Sequence, residues 1–276
     1  SVPGLEHAKN VRNAYAIEYD CLDSLELLPT LELKKVKGLF SAGQANGSSG
    51  YEEAAAQGLI AGINAARKLQ GKEGIVIDRS QGYIGVLIDD LVTKESHEPY
   101  RMMTSRAEYR LLLRQDNADI RLSAIGHEVG LIDDERYARL LKKEELIAKE
   151  IERVNHVNLG TSEAVQKLLE AYGSTPLTSG TTLAELIRRP ELSYEKLAPV
   201  DNARPELPYD VKEQVDINIK YDGYIKRQMR QVEQFKKLEN KRIPENIDYD
   251  SIQSLRLEAK QKLNQIRPAS IGQASR

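Results

Sequence analysis

Residues 38–58 are GLFSAGQANGSSGYEEAAAQG: an apolar pair, a glycine-rich loop and the start of a helical pattern. The pair predicts the end of a short buried strand. Gly43, Gly47 and Gly50 punctuate the loop, and glycine allows positive φ and close approach of the backbone to a ligand. The spacing is not that of the common dinucleotide fingerprint G-x-G-x-x-G. On spacing alone, a ligand-binding loop and a plain tight turn are equally good interpretations.

The helix that follows has its own start signal. Ser49 and Glu52 match the capping box, in which each side chain bonds to a free backbone N–H of the first turn. Ala54, Gly58 and Gly62 recur every four residues, and this stripe predicts close packing of the helix on a sheet. The positive end of the helix dipole would then face a phosphate or an electron-rich ring edge.

Composition narrows the class of protein. The 276 residues are 40% hydrophobic and 30% charged, with a net charge of −2, so nucleic-acid binding would depend on local basic patches. The lone cysteine, Cys21, excludes a disulfide framework within the chain and indicates a reducing compartment. We expect it to be a small core residue. No apolar run has the length of a membrane span.

An arginine-rich stretch follows at residues 101–121. Ser105 and Glu108 form a second capping-box pair, which predicts a helix that carries Arg106, Arg110 and Arg114 on one face. Guanidinium groups in a row need phosphates or carboxylates between them.

Two interpretations of this stretch remain open from the residues alone. One is contact with an RNA backbone, with Tyr100 and Tyr109 stacking on a base or ribose. The other is an internal ion-pair network with Glu108, Asp116 and Asp119.

Most of the remaining pattern is helical. Residues 14–19 alternate loosely, as a strand does, whereas 82–92 have helical spacing that Gly85 weakens. The pair Asp89–Asp90 favours a solvated face or a cap over an acid catalyst or a metal site. Further helices are predicted near 133–154, 162–172, 182–189, 193–197, 211–239 and 251–266. Residues 220–242 contain eight basic and three acidic residues. This excess of positive charge fits either phosphate binding or a solvated amphipathic face.

Several motifs together resemble one family. GLFSAGQ resembles the second flavin-contacting motif of two-dinucleotide flavoproteins, with Gln44 where that motif usually has Asp. The same segment extended to residue 58, PYRMMTSRAEYRLLLR at 99–114, DNAD at 116–119 and PASIGQAS at 268–275 all resemble the MnmG (GidA) family. The motifs occur in the family's order and cover nearly the whole chain.

The resemblance implies an FAD-dependent tRNA-modifying enzyme. With NADH, a folate carbon donor and the GTPase MnmE, such enzymes install a (carboxymethyl)aminomethyl group at C5 of the wobble uridine, and they act as cytoplasmic homodimers. The family places its first glycine fingerprint, its NAD-binding insertion and its catalytic cysteines upstream of the residues matched here. We therefore expect a C-terminal portion, inactive in isolation, with no catalytic residue assignable.

The expected fold is α+β and mainly α, with the remnant of an FAD-binding α/β domain at 1–125 and a truncated helical domain for tRNA and partner at 126–276. The flavin residues implied are Gly43, Gln44, Asn46, Gly47 and Gly50. The tRNA residues implied are Arg101, Arg106, Arg110, Lys226, Arg227 and Arg230, with Arg114 assigned to an internal pair. A second hypothesis is a helical adaptor that binds tRNA and protein without chemistry of its own.

Overall fold

The computed structural model describes residues 3–13, 18–94 and 98–275. Most of the strand pattern at 14–19 lies outside these residues. The described residues form nine α-helices: α1 (Tyr51–Leu69), α2 (Tyr83–Thr93), α3 (Ala118–Glu128), α4 (Asp134–His156), α5 (Glu163–Ala171), α6 (Leu183–Ile187), α7 (Tyr209–Glu239), α8 (Leu257–Ile266) and α9 (Ile271–Ala274). Two-residue strands β1 (Asn158–Leu159) and β2 (Thr181–Thr182) pair antiparallel. The predicted mainly helical class is confirmed.

The first part of the chain packs α1 and α2 over a small apolar core, whose buried members include Leu27, Leu31, Ile60, Ile88 and Val92. The strand predicted before the glycine loop is reduced to an isolated bridge between Glu32 and Phe40. The chain reverses direction at residues 34–38, and a single residue pair meets there. A longer ladder therefore does not form within the described residues.

A glycine lies at each end of helix α1. Its N-cap is Gly50, which has no side chain to cap the helix, and Ser49 is exposed, so the predicted capping box is wrong. Gly71 follows the C-cap with φ +68, the left-handed conformation that glycine favours after a helix. Gly58 and Gly62 are exposed, and an added Cβ would meet nothing within 4 Å, so the predicted close packing of this stripe is also not found.

Helix α2 forms where the helical spacing predicts it, and its packing explains why residue 85 is a glycine. A Cβ on Gly85 would lie 2.2 Å from the carbonyl oxygen of Asp78 and 2.5 Å from that of Ile77. Glycine therefore allows the helix to lie directly against the backbone of the preceding loop.

Helices α4, α5, α6 and α7 surround the larger core. Asp133 caps α4 by accepting a hydrogen bond from the N–H of Arg136 at 2.7 Å. The helix predicted at 193–197 is only a turn, closed by a bond from the N–H of Leu197 to the carbonyl of Ser193. The fully buried members of this core include Val154, Leu169, Leu183, Ala184, Leu186, Ile187, Leu192, Leu197, Val211 and Val215.

Helix α7, with 31 residues and a length of about 46 Å, joins two parts of the molecule. Its N-terminal half packs into the larger core through Val211, Val215 and Ile219. Its C-terminal half packs through Val232 on a separate cluster that includes Tyr109. None of the helices that the structure describes combines the length and apolarity needed to cross a membrane.

Candidate functional site

The glycine loop is a tight 3₁₀ turn laid over the start of α1. The turn spans Gly43–Asn46 and is followed by Gly47 at φ +76. Gly43 itself has φ +80, and its Cβ would lie 3.3 Å from that of Ala54. A Cβ on Gly50 would lie 1.8 Å from Glu53 Oε2. Each of these glycines therefore has a conformational or a steric reason to be glycine.

Gln57, on the second turn of α1, holds the loop in place. Its Oε1 accepts hydrogen bonds from the N–H of Gly43 (3.0 Å) and from Asn46 Nδ2 (2.8 Å). Both amide side chains are buried, with 0% of Gln57 and 2% of Asn46 exposed. Sequence reasoning did not select Gln57. Its position four residues after Glu53, on the buried face of the helix, was the available signal.

The predicted flavin residues divide into two groups. Asn46 is turned inward and supports the loop, whereas Gln44 is exposed on its outer surface. Two buried atoms near the turn, Asn46 Oδ1 and Gln57 Nε2, have no hydrogen-bond partner within the described structure. The first turn of α1 is not capped by a side chain. A glycine turn, an uncapped helix start and two buried amide atoms without a hydrogen-bond partner fit an anionic or electron-rich ring system.

Residues 100–102 are bonded directly to this loop and to the first turn of α1. The N–H of Tyr100 donates to the carbonyl of Gly47 at 2.8 Å, and the N–H of Met102 donates to Glu53 Oε1 at 2.8 Å. The bond from Met102 holds the pKa of Glu53 below its usual value. Arg101, between them, is exposed, with its Nε 3.8 Å from Glu53 Oε1.

A buried ionic cluster fixes the same segment from its other side. Arg79 is 3% exposed and bonds Asp90 (2.6 Å), Asp89 (2.9 Å) and Glu108 (2.6 Å) through its guanidinium group. Tyr100 Oη donates to Asp90 Oδ2 at 2.9 Å. The expectation that Asp89 and Asp90 form a solvated face or a cap is wrong for Asp90, which is 1% exposed.

Burial alone would raise the pKa of Asp90. Hydrogen bonds and charges from Lys94 and Arg79 outweigh burial and hold that pKa below its usual value. Burial and the neighbouring Asp90 also raise the pKa of Tyr100, which therefore stays a neutral donor. The cluster is a structural support, and its charges are satisfied internally.

The arginine-rich helix is not formed. Residues Thr104–Arg106 make one 3₁₀ turn, and irregular turns follow before α3. Burial alternates along residues 107–110, with Ala107 and Tyr109 buried and Glu108 and Arg110 exposed, which is the period of an extended chain rather than of a helix. Burial also overturns the predicted stacking role of both tyrosines, since Tyr100 is 4% and Tyr109 7% exposed.

The arginines nevertheless separate as predicted into exposed and internal groups. Arg101, Arg106 and Arg110 are exposed. The guanidinium of Arg106 lies over the ring of Tyr100, 4.5 Å from its centre. Arg114 forms the predicted internal pair, with its Nε 3.0 Å from Asp116 Oδ1.

Helix α7 meets this segment although it lies far along the chain. Gln228 Nε2 donates to the carbonyl of Glu108 at 3.3 Å across 120 residues of sequence. The rings of Tyr109 and Phe235 are 6.4 Å apart in an edge-on arrangement. The structure therefore brings together the two stretches that were predicted separately to bind RNA.

The three basic residues predicted on α7 lie beside this contact and are all exposed. Lys226 pairs with Asp222 at 2.8 Å on the same helix. Arg227 and Arg230 have no ion pair or side-chain hydrogen bond in the part of the chain that the structure describes.

Three models of known protein families match this chain and indicate its class of protein. Residues 134–229 match the family model described as the tRNA modifying enzyme MnmG/GidA C-terminal helical domain, and residues 231–276 match the corresponding C-terminal helical bundle. Residues 1–73 match the model for glucose inhibited division protein A. Residues 134–229 and 231–276 therefore correspond to the C-terminal helical domains of a class of tRNA-modifying enzymes.

Individual relatives narrow the class to one family. All 276 residues align with the tRNA uridine 5-carboxymethylaminomethyl modification enzymes MnmG of Lachnoclostridium phytofermentans, at 68% identity, and Caldicellulosiruptor saccharolyticus, at 64%. A crystal structure of Aquifex aeolicus GidA matches 92% of the chain with a TM-score of 0.78 and 42% identity. This chain belongs to the MnmG/GidA family. It spans 44% of the length of these two curated relatives and 40% of the Aquifex chain.

Proposed function

We propose that this chain is the part of a flavin-dependent tRNA-modifying enzyme that completes the flavin site and holds the tRNA. The observation that carries the proposal is a continuous set of bonds. Tyr100 is bonded to the glycine loop, Met102 to the start of α1 and residue 108 to α7, and exposed basic side chains are carried by the same segments. A flavin group and an RNA substrate placed on these neighbouring elements would be close to each other.

The loop residues have distinct roles toward a bound FAD. The backbone of Gly43, Gly47 and Gly50 allows close approach, and Gln44 is exposed beside it. The uncapped start of α1 stabilises negative charge on a reduced ring through the helix dipole. Flavin supplies the hydride and electron transfer that no amino-acid side chain provides. Asn46 lies on the inner side of the loop and supports the loop's conformation through its hydrogen bond to Gln57.

The basic residues serve to bind the tRNA backbone. Their positions are exposed, and guanidinium groups suit phosphate oxygens. The remaining features of the reaction follow the family: modification at C5 of the wobble uridine in the cytoplasm, NADH bound outside this chain, a folate carbon donor, the GTPase MnmE and a homodimer. On this proposal, residues 1–125 belong to the flavin-binding part and residues 126–276 to the helical part.

Anisotropy of a labelled, unmodified tRNA, titrated with the chain across a salt series, tests the RNA part. We expect binding that weakens steeply with salt, because phosphate contacts release counterions. Arg110→Ala is expected to weaken binding without lowering thermal stability. Lys167→Ala on α5 is the control, since it removes one exposed cation elsewhere. Absence of binding at low salt, or equal effects of the two variants, would contradict this assignment.

Binding of FAD distinguishes this proposal from the hypothesis of a helical adaptor. We expect the chain to quench the fluorescence of added FAD, and Gln57→Leu to weaken that binding by releasing the loop. A chain that binds tRNA normally but shows no FAD binding would support the adaptor function instead.

A further inference from the structure

The middle of α7 carries two exposed tyrosine side chains. Tyr221 and Tyr224 keep 46% and 60% of their surface exposed, and a Cβ on Gly223 between them would meet nothing within 4 Å. In the structure as described, neither tyrosine side chain has a hydrogen bond, ring contact or cation partner. Two neighbouring aromatic rings are therefore exposed on a helix whose two ends are firmly packed.

These tyrosines continue a line of basic residues. Tyr221, Tyr224, Arg227 and Arg230 are all exposed and follow one another at intervals of three. Residues three apart form one ridge on a helix surface, with a rise of about 4.5 Å per step. We name these four residues the Tyr–Arg ridge. Because three residues fall about 60° short of a full turn, the ridge winds around the helix: neighbouring members share a face, and Tyr221 and Arg230 lie about half a turn apart.

The charge of the surrounding segment indicates which kind of molecule would bind to the ridge. Residues 220–242 contain eight basic and three acidic side chains, a local balance of +5. The bond from Gln228 to residue 108 brings the middle of α7 to the segment that carries the exposed Arg106 and Arg110. Exposed aromatic rings beside arginines are the arrangement that proteins use to bind unpaired nucleotides, with rings stacking on bases and guanidinium groups binding phosphates.

We propose that Tyr221 and Tyr224 stack on unpaired bases of the RNA while Arg227 and Arg230 bind its backbone. This inference rests on the proposed tRNA binding and assigns to it a base-stacking site. The two tyrosines first considered for stacking are buried, so the ridge supplies the exposed rings of this surface. Stacking requires unpaired bases, so the ridge would bind a loop in preference to a duplex.

The chain has no tryptophan, which allows a direct test. Tyr224→Trp introduces a single tryptophan at the proposed stacking position. We expect its fluorescence to be quenched by an RNA stem–loop with an unmodified wobble uridine, and much less by an RNA duplex of equal length. Tyr209→Trp is the matched control, because Tyr209 is 72% exposed on the same helix, about 22 Å from position 224 along its axis. Its fluorescence should not change.

Affinity measurements separate stacking from charge. Tyr224→Leu should weaken stem–loop binding about tenfold, with an unchanged salt dependence, whereas Tyr224→Phe should bind like the parent chain. Arg227→Gln should instead lower the slope of log affinity against log salt by about one. Circular dichroism of each variant confirms that α7 is intact.

The outcomes distinguish this inference from the function on which it rests. If the stem–loop binds but the fluorescence of the Tyr224→Trp variant is not quenched, or if Tyr224→Leu binds as well as Tyr224→Phe, the stacking site is wrong and tRNA binding stands. If neither RNA binds the chain at low salt, both proposals are overturned.

Discussion

Arg79 shows how one side chain organises the supports of this site. It lies in a loop before α2 and is 3% exposed, yet its guanidinium group bonds three carboxylates and the carbonyl of Arg106. No motif marked it in the sequence. A buried charge is stable only when it is paired and hydrogen-bonded, and Arg79 meets both conditions.

Replacement of Arg79 should therefore destabilise the chain strongly. Arg79→Met leaves Asp90 buried beside Lys94 as its remaining cation, and we expect a loss of about 3–5 kcal/mol in the free energy of unfolding. Urea unfolding followed by circular dichroism measures it. Arg110→Met, at an exposed position, should change the same quantity by less than about 0.5 kcal/mol. Similar losses for both variants would show that Arg79 is not a structural centre.

Among the elements, α1 and α2 use glycine in opposite ways. In α2, Gly85 lies against the backbone carbonyls of residues 77 and 78 and leaves no room for a Cβ. In α1, Gly62 is an exposed helix residue with free space around it. The same residue type is therefore required sterically in one helix and unfavourable to stability in the other.

Matched alanine variants should separate the two cases. Gly85→Ala forces the helix away from its neighbouring loop and should cost about 1–3 kcal/mol, as overpacking does. Gly62→Ala removes a flexible residue from a helix interior and should stabilise the chain by about 0.5–1 kcal/mol. Melting temperatures of the two variants report the comparison. A destabilised Gly62→Ala would indicate that the exposed stripe of α1 packs against something in solution.

At the scale of the whole molecule, ionised carboxylates join separate parts of the chain. Glu53 joins α1 to the N–H of Met102, and Asp90 joins α2 to Arg79. Asp116 accepts a hydrogen bond from Gln214 of α7 at 2.7 Å and pairs with Arg114. Burial would raise the pKa of Asp116, but these two partners hold it below its usual value.

Stability should therefore fall in acid. Each of these carboxyl groups has a lower pKa in the folded chain than in the unfolded chain, so its contribution is complete above the unfolded pKa of about 4. The contribution is lost as pH falls through the lower, folded value. We expect the melting temperature to decrease progressively below about pH 4. Asp116→Asn should start less stable at pH 7 and show a shallower decrease, and an unchanged slope would contradict the role of Asp116.

The sequence by itself determined the helical class, most helix positions, the glycine loop and the family resemblance. It did so because glycine turns, apolar periodicity and short sequence motifs are all set within a few neighbouring residues. Only the tertiary structure decided that residues 104–117 are not a helix, that Tyr100 and Tyr109 are buried, and that Cys21 is exposed rather than in a core. Burial against residues distant in the chain overrode the local capping and spacing signals there. The contact of α7 with residue 108 crosses 120 positions, a distance at which no local pattern carries information.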